Sequence, residues 1–217
     1  MRLHFAEQTT ARQMRKARAF RFIGVNARLP HKEFFMDKEY VVNIAGEDVR
    51  LPILKIAPTV GIAFFNLHGN QKLTEHCGKA LAKYVADCDV LLTAESKGLQ
   101  LTHVVARELG HEFYGVVRKS KKLYMQDGLD IVIDSSITTG KEQHYYLSKH
   151  DMNLLKGKKV GIVDDVVSTG ASLKGLEKIV ELSGGTVHKK AFVLAEDKAA
   201  DRTDVIYLAK IPVFCEE

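Results

Sequence analysis

The sequence predicts an α/β fold, a parallel sheet covered by helices on both faces. From about residue 68 onward, short apolar runs alternate with segments in which apolar residues recur at helical spacing. The apolar runs are continuous, which is typical of strands buried on both faces of a sheet. The repeated order of strand, helix and strand makes neighbouring strands parallel, because each helix returns the chain to the other end of the sheet. Ligands of such sheets bind beyond the carboxyl ends of the strands.

The start of the chain differs from the rest. Residues 1–21 form a basic N-terminal segment with few apolar side chains, and its cations are Arg12, Arg15, Lys16, Arg18 and Arg21. We interpret the segment as a solvated helix or arm, with binding of nucleic acid or of an acidic partner as the alternative.

Residues 22–67 predict a small β-rich subdomain ahead of the main domain. The runs 40–44 and 49–56 flank a polar turn, as in a hairpin, and residues 61–67 form a third candidate strand. The main domain then occupies residues 68–217.

Its elements follow from periodicity and stop signals. Apolar spacing predicts helices, Gly110 and the pair at 184–185 are helix stops, and buried-type runs predict strands. In chain order these are a helix at 73–87, a strand at 89–94, a helix at 101–109, a strand at 113–117, a strand at 159–164, a helix at 173–180 and a strand at 191–194.

Composition excludes several classes of protein. The three cysteines are widely spaced without a CxxC pair, so neither a zinc site nor a disulfide framework is indicated. No apolar run approaches the roughly 20 residues of a membrane-spanning helix, and the start lacks the apolar stretch of a signal peptide. The net charge of +5 suits small anionic substrates. We expect a cytoplasmic protein without a membrane partner.

The most informative stretch is residues 159–172. An apolar strand ends in two adjacent carboxylates, Asp164 and Asp165, and a turn rich in hydroxyls and glycine leads into a helix. The carboxylates can accept hydrogen bonds from two sugar hydroxyls. The turn offers backbone N–H groups and the positive end of the helix dipole to a phosphate. This combination predicts a solvent-facing receptor for a phosphorylated sugar.

Residues 161–172 resemble the signature of type I phosphoribosyltransferases: a hydrophobic strand, two acids, two apolar residues and a Thr-Gly turn. Residues 93–99 are similar to the family's pyrophosphate loop, in the form found in adenine and xanthine enzymes, with Lys97 where Arg is usual. The family often holds a cis peptide in this loop, and the sequence leaves open whether one forms here. The basic run 117–125 resembles the segment that these enzymes bring to the pyrophosphate.

The resemblance implies a role for each matched residue. Asp164 and Asp165 would be the catalytic acids, holding the ribose hydroxyls and favouring a cationic sugar. The 5-phosphate of phosphoribosyl pyrophosphate (PRPP) would be bound by Ser168, Thr169, Gly170, Ala171 and Ser172. The pyrophosphate would be bound by Glu95, Ser96, Lys97, Gly98, Arg118, Lys119 and Lys122. Mg²⁺ would be held mainly by PRPP, near the two aspartates.

The resemblance also implies the reaction and the domain roles. The family transfers 5-phosphoribose from PRPP to a base with release of pyrophosphate, and it is commonly homodimeric. The subdomain at 22–67 would be the hood that selects the base, and residues 126–158 would be a mobile flap. Phe64, Phe65 and Tyr124 could stack on a purine, with core packing favoured for either phenylalanine; no base-binding residue is identified.

Ser168 narrows the choice of the acceptor base. Hypoxanthine-guanine enzymes carry an acid at this position, and serine cannot replace it in proton transfer. Adenine, giving AMP in purine salvage, is therefore the first expectation, and xanthine is the alternative. A transcription regulator that senses PRPP on the same fold is a further alternative, supported by the basic N-terminal segment, although nucleic acid is not expected as a partner.

Overall fold

The computed structural model describes residues 35–134 and 142–215. Within them the strands are β1 (Phe35–Ile44), β2 (Glu47–Ala57), β3 (Val60–Ala63), β4 (Val90–Ala94), β5 (Gly115–Val117), β6 (Leu129–Asp134), β7 (Glu142–Leu147), β8 (Lys159–Val167), β9 (Thr186–Glu196), β10 (Ile206–Ile211) and β11 (Val213–Cys215). The helices are α1 (Gln71–Ala82), α2 (Leu99–Leu109), α3 (Lys149–Leu155), α4 (Ala171–Leu182) and a 3-10 helix (Asp197–Asp201).

The central sheet has the strand order β10-β9-β8-β4-β5, and every pair in it is parallel. From β4 the chain first moves outward to β5 and then returns to β8 on the other side. The strand order therefore reverses between β4 and β8. In open α/β sheets the ligand binds in the crevice at this point, beyond the carboxyl ends of the strands.

Helices cover both faces of the sheet, as predicted. On one face Cys77 and Leu81 of α1 and Leu101 of α2 pack into a core with Val163 of β8. On the other face Leu176 and Ile179 of α4 pack with Ile162 of β8, in a core shared with α3 and β7. The predicted parallel α/β fold is thus confirmed.

Local signals explain where the helices begin and end. The side chain of Asn70 accepts a hydrogen bond from the Leu73 N–H at 3.2 Å and so caps α1. Ser148 caps α3 in the same way. Gly110 ends α2 in the left-handed conformation, at φ 72°, as its sequence position predicts.

A separate antiparallel sheet has the order β1-β2-β3-β11. The predicted hairpin at 40–56 forms, with Ala45 and Gly46 at positive φ in its turn. β3 ends at Ala63 and is shorter than the predicted strand at 61–67. The last strand of the sheet, β11, comes from the C-terminal end of the chain and pairs with β3. The boundary at residue 67 stays a prediction, as does the basic segment 1–21, which lies outside the described residues.

The range predicted as a flap contains ordered core structure. β6 and β7 pair antiparallel, and residues 135–141 between them lie outside the described residues. Tyr145 and Leu147 of β7 and Leu155 of α3 are fully buried. The expectation of a mobile flap at 126–158 stays a prediction.

None of the helices in the described part of the chain is long and apolar enough to cross a membrane.

Candidate active site

The residues predicted to bind the sugar lie at the crevice between β4 and β8. Asp164 and Asp165 are inside β8, which continues to Val167 and stays paired with β9 at Asp164, Val166 and Val167. The prediction that the strand ends at residue 164 was therefore wrong by three residues. The apolar residues Val166 and Val167 extend the strand because each packs into one of the two cores.

The two acids both reach the loop that follows β4. The pairing of β8 with β9 shifts register between Val160 and Gly161 and is regular from there to Val167. Asp165 contacts Lys97 of that loop, and Asp164 lies against Gly98.

Asp165 forms an ion pair with the loop after β4. Its Oδ2 lies 2.6 Å from the Nζ of Lys97, and Asp165 is only 4% exposed, whereas the lysine side chain is 40% exposed. The expectation of solvent-facing acids was therefore wrong for Asp165. Removal of Lys97 would leave the buried carboxylate without its cation, which is unfavourable.

Asp164 packs against the start of α2. A Cβ at Gly98 would collide with Thr93 and with the Asp164 carboxylate, so only glycine fits at this position. The Asp165 N–H donates a hydrogen bond of 2.9 Å to Asp164 Oδ1. Burial, together with the neighbouring charge of Asp165, raises the pKa of Asp164 to about 7. Asp164 therefore keeps its proton to a higher pH than an ordinary aspartate does.

Glu95 joins the loop after β4 to the loop after β5. It accepts hydrogen bonds from the Lys119 N–H at 2.7 Å and from Arg118 Nη1 at 3.1 Å. Burial alone would raise the pKa of Glu95, but these hydrogen bonds outweigh it and lower the pKa. Glu95 and Arg118, both predicted to bind pyrophosphate, are therefore paired with each other, and the Glu95–Ser96 peptide bond is cis.

The remaining predicted pyrophosphate residues differ in exposure. Gly98 is buried, whereas Ser96, Lys119 and Lys122 are exposed, and Lys122 donates a hydrogen bond to Ser120. Lys97, Lys119 and Lys122 bring positive charge to the loops after β4 and β5. The structure brings the loops after β4, β5 and β8 to the same edge of the sheet, as the sequence predicts; their roles in binding stay predictions.

The predicted phosphate-binding turn leads into α4. Gly170 adopts the left-handed conformation, at φ 79°, immediately before the helix. Ser168 and Thr169 are exposed, and Thr169 Oγ1 accepts a hydrogen bond from the Ala171 N–H at 3.4 Å. The first N–H groups of a helix have no partner within the helix. In α4 the Ala171 N–H donates to Thr169, so the N–H groups that follow it, from Ser172 onward, can face a phosphate.

The aromatic residues considered for base stacking differ in burial. Phe65 is 2% exposed and belongs to the core, as favoured from sequence. Phe64 is half-buried, and Tyr124 is 68% exposed. Tyr124 is the member of this set with a ring face available to a ligand.

Two residues near the site were missed by the sequence analysis. His68 contacts Ser96 Oγ through Nε2 at 3.3 Å and Gln100 Oε1 through Nδ1 at 3.2 Å. Arg202 follows the 3-10 helix and lies beside Gly170. A lone histidine after a predicted strand and an arginine in a polar stretch carry no local signal, because only the fold brings them to these loops.

Comparisons with known proteins agree with the motifs. A family model described as a phosphoribosyl transferase domain matches residues 65–211. The chain is 31% identical over 160 residues to an adenine phosphoribosyltransferase of Methanococcus maripaludis, covering 70% of this chain and 89% of that protein. It is 30% identical over 148 residues to a xanthine phosphoribosyltransferase of an Exiguobacterium species, covering 64% of this chain and 75% of that protein.

Solved structures show the same fold. The adenine phosphoribosyltransferase of Thermoanaerobacter pseudethanolicus matches with a TM-score of 0.55 and 26% identity, covering 66% of this chain and 84% of that one. The Giardia lamblia enzyme matches with a TM-score of 0.59 at 20% identity, covering 74% of this chain and 93% of that one. The latter match concerns the fold alone.

Proposed function

The chain belongs to the phosphoribosyl transferase domain family, and from this membership we propose that it transfers 5-phosphoribose from PRPP to a purine base. Adenine is the favoured acceptor, which would make AMP and pyrophosphate the products and purine salvage the role. The observation that carries the proposal is the meeting of Asp164 and Asp165 with the loop at 95–98 and the turn at 168–172 in one crevice.

The two aspartates would hold the sugar. Their carboxylates would accept hydrogen bonds from the 2- and 3-hydroxyls of ribose, which requires the charged form of each acid. The transition state at the anomeric carbon has cationic character. Negative charge fixed beside it would lower the barrier, since preorganised charge needs no rearrangement during the reaction.

The cations around the crevice would receive the leaving pyrophosphate. Lys97 contacts Asp165 at 2.6 Å in the free protein. It would turn toward the pyrophosphate as ribose hydroxyls donate hydrogen bonds to Asp165 in its place. Arg118 is held in place by Glu95, and Lys119 and Lys122 are exposed beside it. Their charges would offset the negative charge that develops on the leaving group.

The residues fit Mg²⁺ held mainly by the substrate. Asp164 and Asp165 supply hard oxygen donors, and within residues 35–134 and 142–215 no cluster of three or more metal-ligating side chains forms a protein cage. Mg²⁺ typically uses one or two carboxylates and the phosphate oxygens of a substrate. When bound, the ion would neutralise charge on the pyrophosphate.

The choice of adenine is supported by relatives as well as by Ser168. Relatives from Methanococcus and from Clostridium beijerinckii are adenine phosphoribosyltransferases, and the latter is 29% identical over 76% of this chain. The similarity to an Exiguobacterium xanthine phosphoribosyltransferase favours xanthine as the second candidate.

A panel of bases tests the acceptor. The full-length protein is mixed with PRPP, Mg²⁺ and adenine, xanthine, hypoxanthine or guanine, and pyrophosphate release and the nucleotide formed are both measured. We expect kcat/KM to be highest for adenine. Formation of xanthosine monophosphate with no AMP would make the second candidate correct, and preference for hypoxanthine or guanine would contradict the argument from Ser168.

A further inference from the structure

A network of charged side chains fixes the orientation of Arg202. Its Nε and Nη2 donate hydrogen bonds to the two carboxylate oxygens of Asp204, at 2.9 and 2.7 Å. Lys190 contacts the same carboxylate and also donates to Glu177 at 2.8 Å. The guanidinium is therefore held by a two-pronged contact, and Arg202 is half-buried.

This contact leaves Nη1 facing the turn before α4. A Cβ built at Gly170 would lie 2.8 Å from Arg202 Nη1, so the guanidinium occupies the space in which a side chain at position 170 would stand. Asp204 takes the N–H groups of Nε and one from Nη2. The two N–H groups of Nη1 donate no hydrogen bond within the described part of the chain.

The position and the chemistry suit a phosphate at this turn. A phosphate bound by the backbone N–H groups at 170–172 carries up to two negative charges. In the network beside it, the cations Arg202 and Lys190 balance the carboxylates of Asp204 and Glu177, so the network has no net negative charge that would repel the phosphate. An N–H from a guanidinium to a phosphate oxygen is a charge-assisted hydrogen bond, roughly twice as strong as a neutral one. Because Asp204 already orders the side chain, little conformational freedom would be lost when the bond forms.

We propose that Arg202, oriented by Asp204, binds the 5-phosphate of the substrate through Nη1. The inference rests on the proposed function, because it places that phosphate at the turn 168–172. Arg202 lies on the segment after β9, about thirty residues beyond the signature, and thus adds a side-chain cation to a site otherwise made of backbone and hydroxyl groups.

Binding of two separate ligands tests the assignment. Ribose 5-phosphate and inorganic pyrophosphate are titrated by calorimetry into the wild type, R202Q and R202K. We expect R202Q to weaken ribose 5-phosphate binding by about tenfold to a hundredfold, the range for one charge-assisted contact. Pyrophosphate binding should stay within twofold. R202K keeps the charge without the fork, so an intermediate loss is expected.

The matched control is R107Q. Arg107 also makes a two-pronged contact with a carboxylate, that of Glu75, at 2.9 and 2.6 Å. It lies at the far end of α2 from the site, about 15 Å along the helix. R107Q should leave both ligands unaffected, and thermal unfolding of each variant reports whether the fold is intact.

Several outcomes would overturn the proposal. Unchanged ribose 5-phosphate binding in R202Q would show that Arg202 does not contact the phosphate, and equal loss of affinity for both ligands would indicate a structural role. Selective loss of pyrophosphate binding would show that Arg202 belongs to the pyrophosphate subsite. Failure of the wild type to bind ribose 5-phosphate would show that the turn is not a phosphate site. If the ribose 5-phosphate result holds but no base is phosphoribosylated, the proposed function fails while the phosphate site stands.

Discussion

At the scale of single residues, the site depends on an asymmetry between two adjacent acids. Asp165 is buried against Lys97, whereas Asp164 lies under the start of α2 without a cation in direct contact among the described residues. Asp165 therefore has a cation beside it, and burial raises the pKa of Asp164 to about 7. The two positions predict different responses to substitution.

The stability of the free protein should depend on pH through Asp164. Its pKa is about 7 in the folded chain and 3.8 in the reference state, so the folded protein binds more protons between those values. Stability then falls as pH rises through this window, because a buried charge forms. The variant D164N lacks this titration. We expect the melting temperature of D164N to be close to that of the wild type at pH 5 and higher than that of the wild type at pH 8.

Melting temperatures of both proteins at pH 5, 6, 7 and 8 check this prediction. The comparison uses the difference between the two proteins at each pH, so titrations that they share cancel. A difference that stays constant, or that favours the wild type at high pH, would show that Asp164 is charged throughout.

The positive charge of Lys97 should be required for full activity. K97M would leave Asp165 buried without a cation and would remove a cation from the leaving pyrophosphate. We expect kcat/KM for PRPP to fall about 100-fold, the scale reported for loss of one electrostatic donor in an active site. K97R keeps the charge and should retain at least about a tenth of the activity. Steady-state kinetics within twofold of wild type for K97M would exclude the role.

At the scale of elements, the base of the β6–β7 hairpin is attached to α4 by close packing. A Cβ at Gly175 of α4 would lie 2.8 Å from the ring of Tyr145, which is fully buried. The helix and β7 therefore approach each other at a glycine. This contact connects the base of the hairpin to the helix that follows the predicted phosphate turn.

G175A should therefore destabilise the protein. Overpacking a core with one methyl group typically reduces the free energy of unfolding by about 1–3 kcal/mol. K178A, on the exposed side of the same helix, is the control and should change it by less than about 0.5 kcal/mol. Urea unfolding measures both. Replacement of a glycine by alanine inside a helix also contributes about 1 kcal/mol of helix propensity, so an unchanged midpoint for G175A would mean that overpacking costs no more than this gain.

The helices and strands that could be predicted from the sequence are those with a local pattern of apolar spacing or a stop residue. α1, α2 and α4 follow from apolar spacing, and α2 ends at Gly110 as expected. α3 has one fully buried side chain, Leu155, so its seven residues show no long periodic face. β10 lies at the edge of the sheet with mostly half-buried side chains, and β11 is three residues long and pairs with residues 60–62. Their positions depend on non-local pairing that no local pattern records.

The residues of the site also divide into those with a local sequence pattern and those brought together only by the fold. The residues at 164–172 and 95–98 form contiguous motifs, so their type and order could be identified from sequence. The pairing of Lys97 with Asp165 joins positions 68 residues apart, and Arg202 reaches Gly170 from the segment beyond β9. These contacts depend on the strand order of the central sheet, which only the structure shows.

At the scale of the whole molecule, the fold places three loops of unlike chemistry around one crevice. Carboxylates lie in its centre, cations from two loops lie on one side, and a helix start with an adjacent arginine lies on the other. This arrangement suits a donor with a phosphate at one end, a sugar between and a pyrophosphate at the other. The second sheet, closed by a strand from the C-terminal end of the chain, belongs to the same compact unit.

Phosphoribosyl transfer by the two aspartates is measured as PRPP-dependent release of pyrophosphate in the wild type and in the double variant D164N/D165N. Both proteins are assayed with adenine and Mg²⁺ after melting curves have shown that the variant is folded. We expect AMP and pyrophosphate in equal amounts from the wild type and a loss of at least about 100-fold in kcat for the variant. Equal turnover by the folded double variant, or no pyrophosphate release by the wild type with any purine, would exclude this function for the site.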